Sequence, residues 1–542
     1  MNAATPHPST PHPSTPHPPT PDLFAPHPWR LTRRGALGLG AGLALTPALA
    51  GCLPGDTPRG RAGASRVTIG LSAAVTTLDP MNTTSVGTDL SVLSSVYSSL
   101  VTRRPDLTIG PDAATSWRRA EPTRWRFTLH RKATFADGSP LDADAVVWNV
   151  ERLLDAANAL RMTSNFPSLK AARKVDRHTV DLITATPDAD LLGALSFLYL
   201  LSPRWAARHQ PATQAMGSGP YEITDYSPGG TVELRARDDY WGRKPAIRRV
   251  TFRITPSEPA RVSGLLSGEL DAVAGLDPQD LDRLRADRAL RTQRLDTTRM
   301  AFIKLNTLKG PMRDVRVRRA VNYAVDKAAI TASLLKNTVR PSPGQLLTDY
   351  YSGYTQGLNG YPHDPDRARA LLREAGYGRG NPLKVTLRVP SGQYVAGELV
   401  VQAVAQQLSE TGVSVKIDSV PFTVYMQKYL QDKAMPDMQY ITQAWPTLAA
   451  GGLYGLFVSD SPYAYWDDRE FTGAVAEARR TEGRAARDAL YARAARRARD
   501  QAPVLFLFPQ PGVSATAERL DWRARPDDWV RPADMSWKGA AG

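Results

Sequence analysis

The sequence predicts an α/β protein, and three observations carry that reading. Between Ser116 and Asn149 a half-buried strand pattern passes through a turn cluster into a helical pattern. Similar strand–turn–helix passages recur along the rest of the chain. Finally, 491 residues follow the first 51, enough for two or three units with cores of their own.

In chain order, the first segment is a low-complexity repeat, Pro-His-Pro-Ser-Thr in its first two copies, with His7, His12, His17 and His27 in or just after it. Proline at this density favours extended polyproline conformations without a core. A metal-binding tract is the other reading. The segment precedes a predicted cleavage site, so no site is assigned to it. Arg33 and Arg34 lead into an uncharged apolar run, residues 35–50, which ends in Leu49-Ala50-Gly51-Cys52. A basic start, a short apolar run and small residues make an export signal. At ~24 Å as a helix, the run falls short of a ~30 Å bilayer core. Leu-Ala-Gly-Cys resembles a bacterial lipobox, which makes Cys52, the chain's single cysteine, the expected lipid-bearing residue. Arg33 and Arg34 resemble a twin-arginine signal, with an ordinary Sec signal as the alternative. The expected location is the outer face of the cytoplasmic membrane, held by an N-terminal lipid. With Cys52 committed, stability comes from packing without a disulfide.

Residues 53–65 are rich in glycine and proline and read as a tether. A strand is expected over Val67–Leu71 and a helix over Thr88–Leu100. Trp125, Phe127 and Leu129 alternate with polar residues as one face of a strand. Asp142 or Asp144 is placed to cap a helix carrying Val146, Val147 and Val150. Val175–Val180 is a turn feeding a strand, and Gly217-Ser218-Gly219-Pro220-Tyr221 is a tight turn. Asp314 caps a helix whose apolar face is Val317, Ala320, Val321, Ala324 and Val325. A short helix over Ala368–Ala375 closes at Gly376. An arginine-rich helix spans Arg484–Arg499, with Ala486, Leu490, Ala494 and Ala498 as its stripe. Pro503 stops it before an apolar strand, Val504–Phe508.

The net charge is +15, of which the leader's three arginines and one aspartate account for +2. The arginines are spread over helix faces, and the densest group reads as a solvated face suited to anionic lipid headgroups. Nucleic-acid binding is therefore not expected. An enzyme reading finds no support either. No Gly-x-Ser-x-Gly elbow, His-Glu-x-x-His pair or phosphate loop is present, and His130, His178, His209 and His363 are far apart. No catalytic residue, cofactor or metal site is expected.

The words SWRRAEPTRWRFTLHRKATFADGSPLDADAVVWN resemble the signature of the family 5 extracytoplasmic solute-binding proteins, the peptide- and nickel-type receptors of ABC importers. Further matches follow in the family's order: Gly217–Tyr221, Tyr240-Trp241-Gly242, Gly268–Ala272, DVRVRRAVNYAVDKAAI from Asp314, and Tyr361–Pro365. The resemblance runs from about Val67 to about Trp529. It implies a periplasmic-binding-protein-like fold, two hinged α/β lobes with an extra subdomain in the first. The expected division is a leader and signal over 1–51, a tether over 52–65 and lobe I over 66–300. The subdomain occupies about 110–215, lobe II 301–500, and the chain returns to lobe I over 501–542. The implied function is capture of a peptide or similar small solute between the lobes for a separate permease and ATPase. An oligosaccharide or chelated nickel is the alternative solute, and a secreted hydrolase the alternative class.

Dipeptide-binding relatives use an arginine of the second lobe and an aspartate soon after a tryptophan. Here those stretches read Pro390-Ser391-Gly392-Gln393-Tyr394 and Ala444-Trp445-Pro446-Thr447-Leu448, without either charge. This argues against a free dipeptide zwitterion as ligand and leaves longer or modified peptides, neutral oligosaccharides or a chelated metal. Trp445 and Tyr394 are the expected stacking residues, Gln393 and Thr447 their polar partners, and Asn82 a contact from lobe I. Trp125, Trp148 and Trp241 are read as packing residues.

Overall fold

A computed structural model describes residues 65–83 and 86–539. Arg33, Arg34 and Cys52, with the leader and nearly all of the tether, lie outside the described residues.

A mixed sheet of ten strands organises the chain. Its order is Val413–Val420, Leu383–Pro390, Met438–Gln443, Leu290–Leu305, Val504–Ala517, Ala272–Ala274, Arg66–Leu71, Arg249–Ile254, Thr231–Ala236 and Tyr221–Tyr226. The two central strands are 16 and 14 residues long and antiparallel. At one end, residues 290–296 pair with 511–517, beside Ala272–Ala274; at the other, residues 300–305 pair with 438–443 and with 504–509. The register breaks between Asp296 and Met300. Pro509 and Pro511 face this break, and neither has an N–H for the ladder. Thr297, Thr298 and Arg299 consequently bulge from the strand where it passes from one half of the molecule to the other. This is the hinged two-lobe α/β architecture expected for the chain.

Local chemistry places the flanking elements. Asp142 caps helix Ala143–Leu154 by accepting from the Ala145 N–H, and Asp314 caps Val315–Ala324 through the Arg316 N–H. Phe127 and Leu129 are buried on strand Arg124–Leu129 while Trp125 is half-covered, the expected alternation. That strand belongs to a separate four-stranded antiparallel sheet with Ala114–Glu121, Thr179–Thr184 and Leu169–Asp176, the extra subdomain. Gly217 and Gly219 are required by close approach: a Cβ on either would fall 2.1 and 2.7 Å from the Val96 carbonyl oxygen.

Two elements differ from the sequence reading. The helix expected over Thr88–Leu100 is Val86–Val96. It stops there because the Gly219 N–H takes the Val96 carbonyl and the Asp112 carboxylate takes the Ser99 N–H. The arginine-rich helix spans Arg484–Gln501, and its buried side is Tyr491, Ala494, Ala495 and Ala498, with Ala486 exposed. Tyr491 seats the helix by packing its ring on Tyr454, 6.0 Å between centroids, which counting small residues overlooks. Its arginine face is partly tied down, since Arg497 pairs with Asp468 at 2.8 Å and Glu470 at 3.1 Å.

One hydrophobic cluster runs from Val67 to Ala272 and includes Leu520, Trp522, Trp529, Val530 and Met535 from the end of the chain. Two others flank the sheet in the region from Met300 to Phe508. Lys304 is 2 % exposed within this second region. Its ammonium donates to the Tyr429 hydroxyl (2.7 Å) and the Tyr463 carbonyl (2.8 Å) and lies 4.1 Å from the Phe457 ring centre. Burial holds it well below the usual lysine range. The unfolded chain then binds more protons than the folded one between that depressed value and ~10.4, so this contribution to stability grows as pH rises through the window. Lys304→Met should therefore raise unfolding free energy by about 1–3 kcal/mol at pH 7, with a smaller gain at pH 9.5. Urea unfolding of both proteins at the two pH values measures this. An equal gain at both would show that the buried amine is not the cause.

Candidate functional site

The bulge at Thr297–Arg299 lies where the two halves meet, and the aromatic candidates lie beside it. Strand Met438–Gln443 runs out into Ala444–Leu448. That segment turns back on itself, with the Leu448 N–H donating to the Trp445 carbonyl at 3.0 Å and Leu448 at φ +54°. The Trp445 N–H donates to the Tyr351 hydroxyl at 2.6 Å. Its half-buried ring lies against Gly452, where a Cβ would come within 2.0 Å of it. Tyr394 precedes helix Gly397–Glu410 and packs edge-on to Tyr440, with centroids 5.8 Å apart. Burial pushes its hydroxyl up to about 12, against the opposite pull of the Arg299 charge and the Thr442 backbone. Both aromatics keep part of their surface uncovered.

The polar candidates separate. Thr447 is buried, and its carbonyl accepts from Arg103 Nη2 at 3.0 Å. Arg103, from strand Val101–Arg103 of lobe I, also donates from Nη1 to the Leu107 carbonyl at 3.0 Å, and Leu107 packs into the second-lobe cluster. Thr447 therefore takes part in a contact between the lobes through its backbone. Burial holds the Arg103 guanidinium down to about 10. Gln393 is exposed in the loop before Tyr394. Asn82 is half-buried in a turn, its N–H donating to the Asp79 carbonyl at 3.1 Å; no hydrogen bond joins its side chain to the second-lobe residues. Arg388, the nearest arginine to Tyr394 in sequence, is buried and bonded to Asp418 (2.8 Å) and the Ala434 carbonyl (3.0 Å).

Sequence reasoning missed three residues of this region. Tyr351 anchors the Trp445 backbone. Arg299 projects from the bulge, and Asp528 comes from the returning C-terminal segment, within electrostatic reach of Arg299. The Pro-Gln-Pro triplet at 509–511, inside an otherwise apolar strand, was the available signal for the bulge. This arrangement offers two partly uncovered aromatic rings with the Arg299 guanidinium near Tyr394. His130 and His209 pack against Trp241 and Trp205, at 4.9 and 4.6 Å between ring centres.

Residues 108–474 match the family model described as bacterial extracellular solute-binding proteins, family 5 Middle. The chain belongs to this family. It is 26 % identical to the dipeptide-binding protein of Escherichia coli over 407 residues, 70 % of this chain and 75 % of that one. It is 28 % identical to the nickel-binding periplasmic protein of the same organism over 317 residues, 56 % of this chain and 60 % of that one. Among solved structures, the fold resembles a Helicobacter pylori periplasmic binding protein in complex with the peptide STSA, with a TM-score of 0.75 at 19 % identity, covering 87 % of this chain and 98 % of that one. It also resembles NikA from Brucella suis in complex with Fe(III)-EDTA, with a TM-score of 0.79 at 22 % identity, covering 87 % of this chain and all of the other. The chain is an extracytoplasmic solute-binding receptor of the ABC-importer type and not an enzyme. Among the described residues no helix is long and apolar enough to cross a membrane.

Half-burial of Trp445 sets the expected result of removing it. Trp445→Ala should lower unfolding free energy by about 1–2 kcal/mol, less than the ~3–5 kcal/mol of a fully buried tryptophan. Its effect on solute affinity should be larger, roughly 30- to 1000-fold. Thermal unfolding without solute, beside titration with the solute that co-purifies with the wild type, separates the two. A large loss of stability with little change in affinity would make Trp445 a core residue.

Proposed function

We propose that this chain is the lipid-anchored receptor of an ABC importer. It captures a peptide or similar small solute between lobe I (66–300 with 501–542) and lobe II (301–500) and delivers it to a separate permease and ATPase. The observation that carries this reading is the pair of partly uncovered rings, Trp445 and Tyr394, beside the strand bulge at which the lobes join. Aromatic faces give a solute a large apolar contact at little conformational cost. The relatives named for dipeptides support a peptide-like solute. Gln393, exposed in the loop before Tyr394, is the polar contact on the lobe II side and Asn82 the one on the lobe I side, whereas Thr447 is buried against Arg103.

Native mass spectrometry of protein purified from its own host should show a co-purified solute that is released unchanged on denaturation. Adding this solute back to emptied protein should reduce the radius of gyration in small-angle scattering, because closure buries it between hinged lobes. Saturation without any change in dimensions would count against closure.

The anchor has its own test. Cys52→Ser removes the sulfur that a thioether lipid requires, and each buried lipid methylene contributes ~0.8 kcal/mol to membrane retention. The variant should move from the membrane to soluble extracytoplasmic fractions. Unchanged mass and unchanged retention would rule out lipidation. Arg33→Lys with Arg34→Lys should block export by a twin-arginine route, and normal export of that variant would indicate Sec.

A further inference from the structure

A second concavity lies in lobe I, and none of Trp445, Tyr394, Gln393, Thr447 or Asn82 lines it. Its volume is about 390 Å³, within the usual span of small-molecule sites, roughly 300–1,000 Å³. Every lining residue comes from 111–130 or 240–243, so the first lobe and its subdomain build it without the second. One wall is the turn Tyr240-Trp241-Gly242. The other is the passage from strand Ile109–Pro111 into strand Ala114–Glu121, with His130 just beyond strand Arg124–Leu129. Trp241 is the hub of this region. The ring centres of His130 and Tyr240 lie 4.9 and 5.2 Å from its own, and its Nε1 donates to the Ser218 carbonyl at 3.0 Å. All three rings line the concavity and keep part of their surface uncovered.

Three polar side chains share the space. The Asp112 carboxylate accepts the Ser99 N–H at 2.8 Å and adjoins the Ser99 hydroxyl at 3.5 Å. A carboxylate has about four acceptor positions, so it has room for a further donor. Burial pushes its carboxyl up to about 6, against the pull of these bonds and of the Arg531 charge. His130 Nδ1 accepts the Lys132 N–H at 3.2 Å, which puts the hydrogen of the neutral ring on Nε2, a donor with no partner among the described residues. Arg243 is exposed, and its guanidinium makes no hydrogen bond or ion pair among the described residues. Arg131, Lys132 and Lys244, the exposed chain neighbours of His130 and Arg243, have no ion pair among those residues either. The carboxylates just before the turn are already taken, Asp238 by Arg248 and Asp239 by Arg237. The exposed side of the concavity is therefore cationic.

We propose that this concavity is a second binding site, separate from the interlobe one, and that it takes a sugar acid, a pyranose ring bearing a carboxylate. Such a ring has an apolar C–H face and a rim of hydroxyls that both donate and accept. The uncovered parts of Trp241 and Tyr240 receive the face. Asp112 accepts from one hydroxyl and His130 Nε2 donates to another. Arg243 takes the carboxylate through paired, charge-assisted hydrogen bonds, with the neighbouring cations adding attraction. A cationic ligand would meet that excess of positive charge. A flat apolar acid would leave Asp112 and His130 without partners once water is displaced. Because one lobe supplies all the lining, filling this site requires no closure.

The test is NMR titration of the full chain with galacturonate, trigalacturonate, the methyl ester of trigalacturonate, and benzoate. Wild type should bind an acid sugar at least about 5-fold more tightly than the ester or benzoate. Equal affinity for monomer and trimer marks a free sugar acid as the ligand, and preference for the trimer marks a polymer. Arg243→Gln should lose roughly 5- to 20-fold for the acids and nothing for the ester. His130→Gln should weaken acid and ester alike. Trp445→Ala, and Arg480→Gln at an exposed arginine of lobe II, should bind as wild type does. Small-angle scattering should show no change in radius of gyration at saturation, and thermal unfolding checks that the variants fold. No binding of either acid, ester or benzoate held as tightly as the acids, or undiminished binding by Arg243→Gln overturns the proposal. An equal loss in Arg480→Gln overturns it in favour of bulk charge. Loss in Trp445→Ala together with compaction places the sugar between the lobes, which overturns the second site while supporting the receptor reading.

Discussion

The structure depends on two long antiparallel strands, Leu290–Leu305 and Val504–Ala517, which are the shared spine of both lobes. A lobe built on its own sheet would need only a linker to its neighbour. Here continuous backbone ladders pass from one half to the other, broken in register between Asp296 and Met300. Pro509 and Pro511 weaken it by removing two N–H donors, and the opposite strand responds with the bulge at 297–299. The break in the ladder and the position of Arg299 therefore arise from the same backbone defect.

The rest of the site is arranged around that defect. The C-terminal segment is fixed to it through the Pro526 carbonyl and to lobe I through Trp529, whose ring meets Phe197 edge-on at 5.5 Å. Tyr351 reaches from a loop to hold the Trp445 backbone, and Gly452 leaves room for the indole. On the lobe I side, Arg103 and Leu107 reach into lobe II. Leu107 adopts φ +67°, a strained position for a branched residue, in exchange for burial in the second-lobe core.

Lys304 illustrates a different compromise. Its strand segment, Met300–Leu305, is buried throughout, and an apolar residue would fill the position without desolvating an amine. The lysine instead joins Tyr429, Tyr463 and Phe457 in a buried polar knot. Networks of this kind give a core one preferred arrangement at some expense of stability.

Most secondary structure was legible because its causes are local. Caps at Asp142 and Asp314, the alternation at Phe127 and Leu129, and the glycine turn at 217–219 depend on a few neighbouring residues. Family membership was legible for a related reason, as many such words occur in one order. Trp445 and Tyr394 could be singled out as aromatic candidates from the sequence, since each stands a few residues beyond a strand. The surroundings of Arg299 could not. Arg299 is one arginine among many, and its loose bonding follows from a register break facing prolines some 210 residues away in sequence. The Asp527 carboxylate is held by Arg525 and by the Trp529 N–H, contacts that its neighbour Asp528 does not share. Thr447 looked like a polar ligand contact, yet its carbonyl meets an arginine 344 residues distant. The sequence by itself determined the elements and the family, because propensity, capping and turn chemistry act over a few residues. Tertiary structure decided which side chains meet across the chain, because pairing depends on which distant backbone groups and side chains reach them first.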